Sequence, residues 1–273
     1  GRSGGCDATP SPVGGGLDVT ASSSRPRRSV LWPPEPSERR YVEVVSGHDP
    51  NARHQRRLVM VREQLEARGI ANTGVLDAMG EVPRERFVPD RLAPRAYNDE
   101  PLPISEGQTI SQPYIVAAMI DSALVGPTDR VLEVGTGSGY GAAVLSRVVA
   151  EVVSVERHPS LSETAAVRLN ALGYDNVEVV VGDGSLGYAE RAPYDAVIVT
   201  AAGPGVPRAL VEQLAEGGRL VMPIERAAND QHLIRATLRD GLLGEEDLGA
   251  VRFVPLIGAQ GWPAQASTRT RAR

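Results

Sequence analysis

The chain has 273 residues and a formal net charge of −5, enough length for one large α/β domain with an appendage. This acidic balance, without a long basic stripe, argues against nucleic acid as a main partner. No apolar run reaches the length that spans a bilayer, and the N-terminus lacks the apolar core of a signal peptide.

All 29 basic residues are arginine, which excludes Schiff-base chemistry and phosphate loops that need a lysine. The single cysteine, Cys6, leaves no partner for an intrachain disulfide and no basis for a thiolate metal cluster. The four histidines lack the spacing of metal ligands, so we expect no bound metal. The sparse use of cysteine fits a cytoplasmic location.

The first predicted elements follow a long N-terminal segment. Residues 1–52 are rich in Gly, Ser, Pro and Arg, so we expect a disordered extension, with 41–45 as a candidate edge strand. The apolar spacing that follows predicts helices at 52–68, 73–80 and 113–124. A long irregular loop is predicted at 97–113, and long ordered loops in compact domains are often functional.

Strands and helices alternate from residue 129 onwards. Strands are predicted at 130–134, 152–156, 177–181, 195–200 and 218–223, and helices at 140–149, 159–172, 185–190 and 206–215. An antiparallel pair is predicted at 231–239 and 249–256. This order predicts an α/β fold: a doubly wound, mostly parallel Rossmann-like sheet with helices on both faces and a C-terminal antiparallel strand pair.

These elements divide the chain into three parts. The folded domain is expected over 53–258, after the N-terminal extension and before a flexible tail at 259–273. Within the domain, 53–128 supplies the N-terminal helices and the long loop, and 129–258 supplies the Rossmann-like core.

Residues 131–139 (VLEVGTGSG) join a buried strand to a helix through three glycines. Glycine lets the backbone approach a ligand closely. A dinucleotide fingerprint would need a glycine at Tyr140, which disfavours a nicotinamide dehydrogenase. The spacing from Glu133 to Gly139, E-x-G-x-G-x-G, resembles instead the first motif of S-adenosylmethionine-dependent methyltransferases. A glycine-rich turn that binds nothing is the alternative.

Acidic residues end the next two strands, where ligands bind in doubly wound sheets. Glu156 lies 21 residues after Gly135 and could accept both ribose hydroxyls, or it could be a surface residue at the end of the sheet. Asp183 could accept from an adenine amino group while the Gly184 N–H faces a ring nitrogen. Asp-Gly is also a common turn pair, so a simple turn is the alternative.

The long loop carries a more specific signal. Residues 107–113 read GQTISQP, and they closely resemble the hallmark of protein-L-isoaspartate O-methyltransferases. The resemblance runs in order from about residue 57 to residue 258, with further matches that include VPR at 82–84, GDG at 182–184 and VRFVPL at 251–256.

The resemblance implies methyl transfer from S-adenosyl-L-methionine to the free α-carboxylate of an isoaspartyl residue, leaving S-adenosyl-L-homocysteine. That carboxylate is already ionised at neutral pH, so no general base is required. The ester would close to a succinimide, which hydrolyses partly to normal aspartate, and repeated cycles would repair the damaged protein. Isoaspartyl-containing proteins or peptides are the expected partners, and we expect a monomer.

The resemblance also implies roles for individual residues. Ser111 is the expected catalytic residue, aligning the substrate carboxylate; capping the helix that begins near Pro113 is the alternative, and both roles could hold together. The expected cofactor-binding residues are Thr109, Ile110, Glu133, Gly135, Gly137, Ser138, Gly139, Glu156, Asp183, Gly184 and Gln231. The expected substrate-binding residues are Ile104, Gln112, Arg252 and Val254. For Gln231, a surface strand position is the alternative.

Two departures from the family pattern concern substrate preference. Gly141 stands where the family usually has Gln, and Glu106 precedes the hallmark, near where an anionic substrate would dock. Glu106 and the extension motivate a second hypothesis, a relative that esterifies an aspartate in one dedicated peptide. A non-catalytic cofactor-binding module is a third hypothesis of a different class.

Overall fold

A computed structural model of the chain describes residues 49–264. Most of the predicted N-terminal extension, including the candidate strand at 41–45, lies outside the described residues, as does 265–273. Within 49–264, no helix is long and apolar enough to cross a membrane.

The described residues form six α-helices and nine strands. The helices are α1 (Pro50–Met60), α2 (Thr73–Glu81), α3 (Pro113–Ser122), α4 (Tyr140–Leu145), α5 (Pro159–Ala171) and α6 (Arg208–Glu212). The strands are β1 (Leu102–Pro103), β2 (Thr109–Ile110), β3 (Arg130–Val134), β4 (Glu151–Glu156), β5 (Val177–Val181), β6 (Tyr194–Val199), β7 (Leu214–Ala227), β8 (Asp230–Arg239) and β9 (Leu242–Val251).

Seven of these strands form one sheet in the order β5-β4-β3-β6-β7-β8-β9. The pairs from β5 to β7 are parallel, whereas β7–β8 and β8–β9 are antiparallel. This confirms the predicted doubly wound sheet with antiparallel strands at its C-terminal side. The strand order reverses direction between β3 and β6, and ligands bind beyond the carboxyl ends of the strands at such a point.

The central strands are buried on both faces because successive side chains alternate between them. Val131 joins the apolar cluster that contains α2, α3 and α4, whereas its neighbour Leu132 joins the cluster on the opposite face with Leu210 of α6. Such strands read as continuous apolar runs, which explains why β3 was recognisable in the sequence.

The prediction of a strand at 249–256 was wrong. The partner of β8 is β9 at 242–251, because Asp240 and Gly241 form a two-residue turn in which both residues have positive φ, and Arg239 therefore pairs with Leu242. Residues 252–256 cross back over the carboxyl ends of the strands instead, with Pro255 bridging to Ala202.

Four predicted helices differ in extent, among them the helix expected at 140–149, which ends at Leu145 as α4. The helix expected at 185–190 is replaced by two short 3₁₀ turns, Gly184–Leu186 and Ala189–Arg191, which Gly187 separates at φ 67°. The helix expected at 206–215 is the shorter α6, and its C-terminal part, from residue 214, belongs to β7. The first helix continues past Met60 as a π-helical turn and a 3₁₀ turn that ends at Gly69.

Residues 259–264 belong to the segment expected as a flexible tail. In the structure the Ala259 N–H donates to Asp183 Oδ2 at 2.7 Å, and the Trp262 indole N–H donates to the Ala202 carbonyl at 3.1 Å. These contacts hold the segment against the carboxyl ends of β5 and β6.

Candidate active site

A cavity of about 630 Å³ opens at the carboxyl ends of β3, β4 and β6. The β1–β2 hairpin and the segment after β9 form its other walls. Of the sixteen site residues predicted from the sequence, twelve line this cavity: Thr109, Ile110, Ser111, Gln112, Glu133, Gly135, Gly137, Ser138, Glu156, Gly184, Arg252 and Val254. The fold therefore brings together the long loop, the glycine motif and the acids at the strand ends.

The glycine turn needs glycine for two separate reasons. Gly135, Gly137 and Gly139 all have positive φ, at 99°, 53° and 88°. A Cβ on Gly135 would lie 2.2 Å from Thr200 Oγ1, so β6 leaves no space for a side chain. Gly139 instead packs against Leu169 of α5, and it shapes the turn without lining the cavity.

Glu156 lies inside the site and is only 4% exposed, which excludes the surface alternative. Its Oε2 accepts the Gly137 N–H and its Oε1 accepts the His158 N–H, both at 2.9 Å. The carboxylate thus ties the glycine turn to the start of α5. Each oxygen keeps a lone pair for a further donor in the cavity.

Glu133 lies fully buried beside the glycine turn. Its pKa is raised to about 8, mainly by burial and also by the nearby charge of Glu156. The Ser154 hydroxyl, which donates to Oε2 at 2.5 Å, acts in the opposite direction and lowers the pKa. A Cβ at position 141 would lie 2.3 Å from Glu133 Oε1. Gly141, which stands where the family usually has Gln, therefore leaves room for the Glu133 carboxyl group.

Ser111 lines the cavity immediately before α3. The helix begins at Pro113 with Gln112 as its N-cap residue, and the Ser111 hydroxyl caps nothing within residues 49–264. The capping alternative for Ser111 is therefore wrong. Gln112 is buried, and its side-chain amide donates to Asp99 Oδ1 at 3.2 Å, which anchors the segment that carries Ser111.

Asp183 and Gln231, two of the nominated residues, do not line the cavity and bind protein groups instead. Asp183 Oδ1 accepts from the N–H and the hydroxyl of Ser185, and Oδ2 accepts from Ala259. The Gln231 side chain donates to the Phe253 carbonyl at 3.2 Å and accepts the Phe253 N–H at 2.7 Å. Gln231 therefore holds the 252–254 segment in place.

Ile104, the fourth nominated residue outside the lining, packs against the glycine turn. Its Cδ1 lies 3.5 Å from where a Cβ on Gly137 would be. Within residues 49–264, no group of three His, Cys, Asp or Glu side chains could hold a metal ion.

Glu106 makes a contact that the sequence did not predict. Its backbone has φ 57°, unusual for a non-glycine residue, and its Oε1 accepts from the Ser160 hydroxyl at 2.6 Å. His158, which lines the cavity, places Nδ1 3.8 Å from Glu106 Oε2. The long loop is thereby joined to the start of α5 through Ser160, 54 residues after Glu106.

The pKa of Glu133 predicts a pH-dependent stability. Because folding raises this pKa from 4.5 to about 8, the folded protein holds a proton that the unfolded chain has lost between these values. The free energy of unfolding of the wild type should therefore fall as pH rises through this window. In Glu133→Gln, which mimics the protonated acid, this loss should disappear.

Urea unfolding of both proteins at about pH 5 and about pH 8 measures the effect. Glu133→Gln should gain stability relative to the wild type at the higher pH, and Glu163→Gln, at an exposed position on α5, controls for the change in charge. A constant difference between Glu133→Gln and the wild type at the two pH values would contradict the assignment.

Comparison with known proteins agrees with this geometry. A family model described as protein-L-isoaspartate(D-aspartate) O-methyltransferase matches residues 55–261. The protein-L-isoaspartate O-methyltransferase of Protochlamydia amoebophila is 54% identical over 210 residues, covering 77% of this chain and 100% of the relative. Protein-L-isoaspartate O-methyltransferase 2 of Pelobacter propionicus is 54% identical over 216 residues, covering 78% of this chain and 96% of the relative.

Two solved structures share most of the fold. A protein-L-isoaspartate O-methyltransferase superposes with a TM-score of 0.68 at 32% identity, covering 76% of this chain and 67% of that chain. A Plasmodium falciparum protein described as the same enzyme, solved in complex with S-adenosyl-L-homocysteine, gives a TM-score of 0.64 at 27% identity, covering 74% and 98%. The chain therefore belongs to the protein-L-isoaspartate O-methyltransferase family, whose members are enzymes that depend on S-adenosyl-L-methionine.

Proposed function

We propose that this enzyme transfers the methyl group of S-adenosyl-L-methionine to the free carboxylate of isoaspartyl residues in damaged proteins and peptides. The observation that carries the proposal is that Ser111 and the glycine turn line the same cavity. As parts of the same proposal, the enzyme acts as a cytoplasmic monomer, and S-adenosyl-L-homocysteine is its product.

The residues at the strand ends fit the cofactor. Glu156, with a free lone pair on each oxygen, would accept the ribose hydroxyls. The glycine turn would admit the methionine portion because its glycines have no side chains. Gly184 would face the adenine edge. Since Asp183 does not line the cavity and its carboxylate accepts from Ser185 and Ala259, we assign Asp183 to holding this turn.

When bound, the cofactor supplies an electrophilic methyl group on a positively charged sulfur. The substrate carboxylate is ionised at neutral pH and needs no base, so the chain's residues have only to orient it and exclude water. The Ser111 hydroxyl would donate to one carboxylate oxygen and leave the other in line with the methyl carbon. A carbon–oxygen bond then forms as the carbon–sulfur bond breaks, and the sulfur becomes a neutral thioether.

The position of Arg252 favours a negatively charged substrate. It is exposed at the wall of the cavity and forms no ion pair within residues 49–264. Its charge is therefore available to attract a carboxylate from solvent. The alternative of one dedicated peptide was motivated by Glu106, but that carboxylate is engaged by Ser160, which weakens the case for a special substrate.

A labelled-methyl assay tests the proposed function. The purified full chain is incubated with labelled S-adenosyl-L-methionine and either an isoaspartyl peptide or the same peptide with normal aspartate. We expect a base-labile methyl ester on the isoaspartyl peptide alone. Cofactor binding without transfer to any isoaspartyl peptide would contradict the proposal and favour a dedicated partner or a non-catalytic module.

Removing the Ser111 hydroxyl should impair turnover more than cofactor binding. A hydrogen bond to a charged group contributes about 1.5–3 kcal/mol, so Ser111→Ala should lower kcat about 10- to 100-fold. The Kd of S-adenosyl-L-homocysteine, measured by calorimetry, should stay within about threefold of the wild-type value. Ser122→Ala, at the far end of α3, is the control; a similar kcat in both variants would refute the role of Ser111.

Glu156→Ala should have the reverse effect. It removes the expected ribose acceptor and the acceptor of the Gly137 and His158 N–H groups, so calorimetry should show at least about tenfold weaker cofactor binding. Glu178→Ala on the neighbouring β5 loses a surface ion pair with Arg191 and should bind normally. Unchanged affinity in Glu156→Ala would show that this carboxylate does not hold the cofactor.

A further inference from the structure

Arg84 is a fully buried arginine with 0% exposure, in the 3₁₀ turn Arg84–Phe87. A buried charge usually pairs with an opposite charge, because desolvation is costly. Arg84 forms no ion pair within residues 49–264, and burial lowers its pKa to about 10, so it stays charged at neutral pH. The fold therefore keeps a positive charge in its interior without a carboxylate in contact.

The guanidinium joins parts of the chain that are distant in sequence. Its Nε donates to the Ala96 carbonyl and its Nη2 donates to the Ser111 carbonyl, both at 2.7 Å. Its central carbon lies 4.8 Å from the centre of the Tyr140 ring, a cation–π contact. One side chain thus connects the start of the long loop, the proposed catalytic serine and the residue that follows the glycine turn.

Arg84 itself does not line the cavity, whereas Ser111 and Tyr140 do. Any effect of Arg84 on the reaction therefore passes through these two residues or through its charge. A planar guanidinium presents several donors in a fixed fork, and a lysine ammonium at the same place could not reproduce that geometry.

We propose that Arg84 is a positioning residue for methyl transfer, a role that rests on the proposed function. Its fork holds the backbone of Ser111 against the glycine turn, so that the serine hydroxyl stays aligned with the methyl donor. Its charge, acting through a medium of low dielectric, also favours a carboxylate substrate beside Ser111. The substrate would bring a negative charge to a part of the interior where Arg84 has no carboxylate in contact.

Two substitutions separate the fork from the charge. Arg84→Lys keeps the charge and loses the fork, so kcat on an isoaspartyl peptide should fall about 10- to 100-fold with the peptide KM within about threefold. Arg84→Gln loses both, and the peptide KM should rise as well. The Kd of S-adenosyl-L-homocysteine should change less than about threefold in both variants.

Arg219 offers a matched control. It also forms a fork to two carbonyls, from Nε to Ala123 at 2.8 Å and from Nη2 to Leu124 at 2.6 Å, but it pairs with Ala196 near the amino end of β6. Arg219→Met should lower Tm and leave kcat within about twofold at a temperature where the variant is folded. If folded Arg84→Lys loses no more kcat than Arg219→Met, the proposal is overturned.

Hydrogen exchange supplies a readout that needs no turnover. The amides of residues 109–112 should exchange faster in Arg84→Lys and at the wild-type rate in Arg219→Met; unchanged exchange in Arg84→Lys would overturn the proposal. The two hypotheses can fail separately. An inactive wild type would refute the proposed function, whereas an active wild type with unchanged exchange in Arg84→Lys would refute the role of Arg84 alone. If neither Arg84 variant folds, hydrogen exchange of the Arg84 Nε–H is measured in the wild type instead. Slow exchange of this proton would support the proposal, and fast exchange would refute it.

Discussion

The cavity depends on the close approach of the glycine turn to the end of β6. Thr200 Oγ1 donates to the carbonyls of Val134 and Gly135 at 3.0 and 3.1 Å, and a Cβ on Gly135 would lie 2.2 Å from that hydroxyl. Because the turn is pinned there, the Gly137 N–H meets Glu156, and α4 begins where Tyr140 can pack against Arg84. A side chain at Gly135 would displace all of these contacts together.

Two buried carboxyl groups share the neighbourhood of this turn, and the fold treats them differently. Glu156 accepts the backbone N–H groups of Gly137 and His158, both at 2.9 Å. Glu133 receives the Ser154 hydroxyl, and burial raises its pKa to about 8, so it is largely protonated at neutral pH. The site therefore avoids a second full negative charge where a sulfonium nucleoside and a carboxylate are to meet.

The sequence predicts best those parts in which apolar spacing and the fold agree, such as β3 and the twelve cavity residues reached through family motifs. Its failures have physical causes. The exposed edge strand β9 carries charged residues, whereas residues 253–256 are apolar and line the cavity. Apolar periodicity therefore pointed to the wrong segment. One partner of Asp183, Ala259, lies 76 residues further along the chain. The residues around Arg84 in the sequence do not indicate that its side chain is buried. Contacts between residues far apart in sequence determine the roles of Asp183 and Arg84, and the spacing of residue types along the chain does not predict such contacts.

Trp262 has a practical consequence through its hydrogen bond to Ala202 and its bridge to Ile257, which lines the cavity. The chain has two tryptophans, and the other, Trp32, lies outside the described residues. Since indole emission responds to local polarity and to nearby ring systems, filling the cavity with a nucleoside should alter it. Replacing Trp32 with phenylalanine would leave Trp262 as the one tryptophan of the chain. Its emission could then be excited selectively, and occupancy followed in real time without labels.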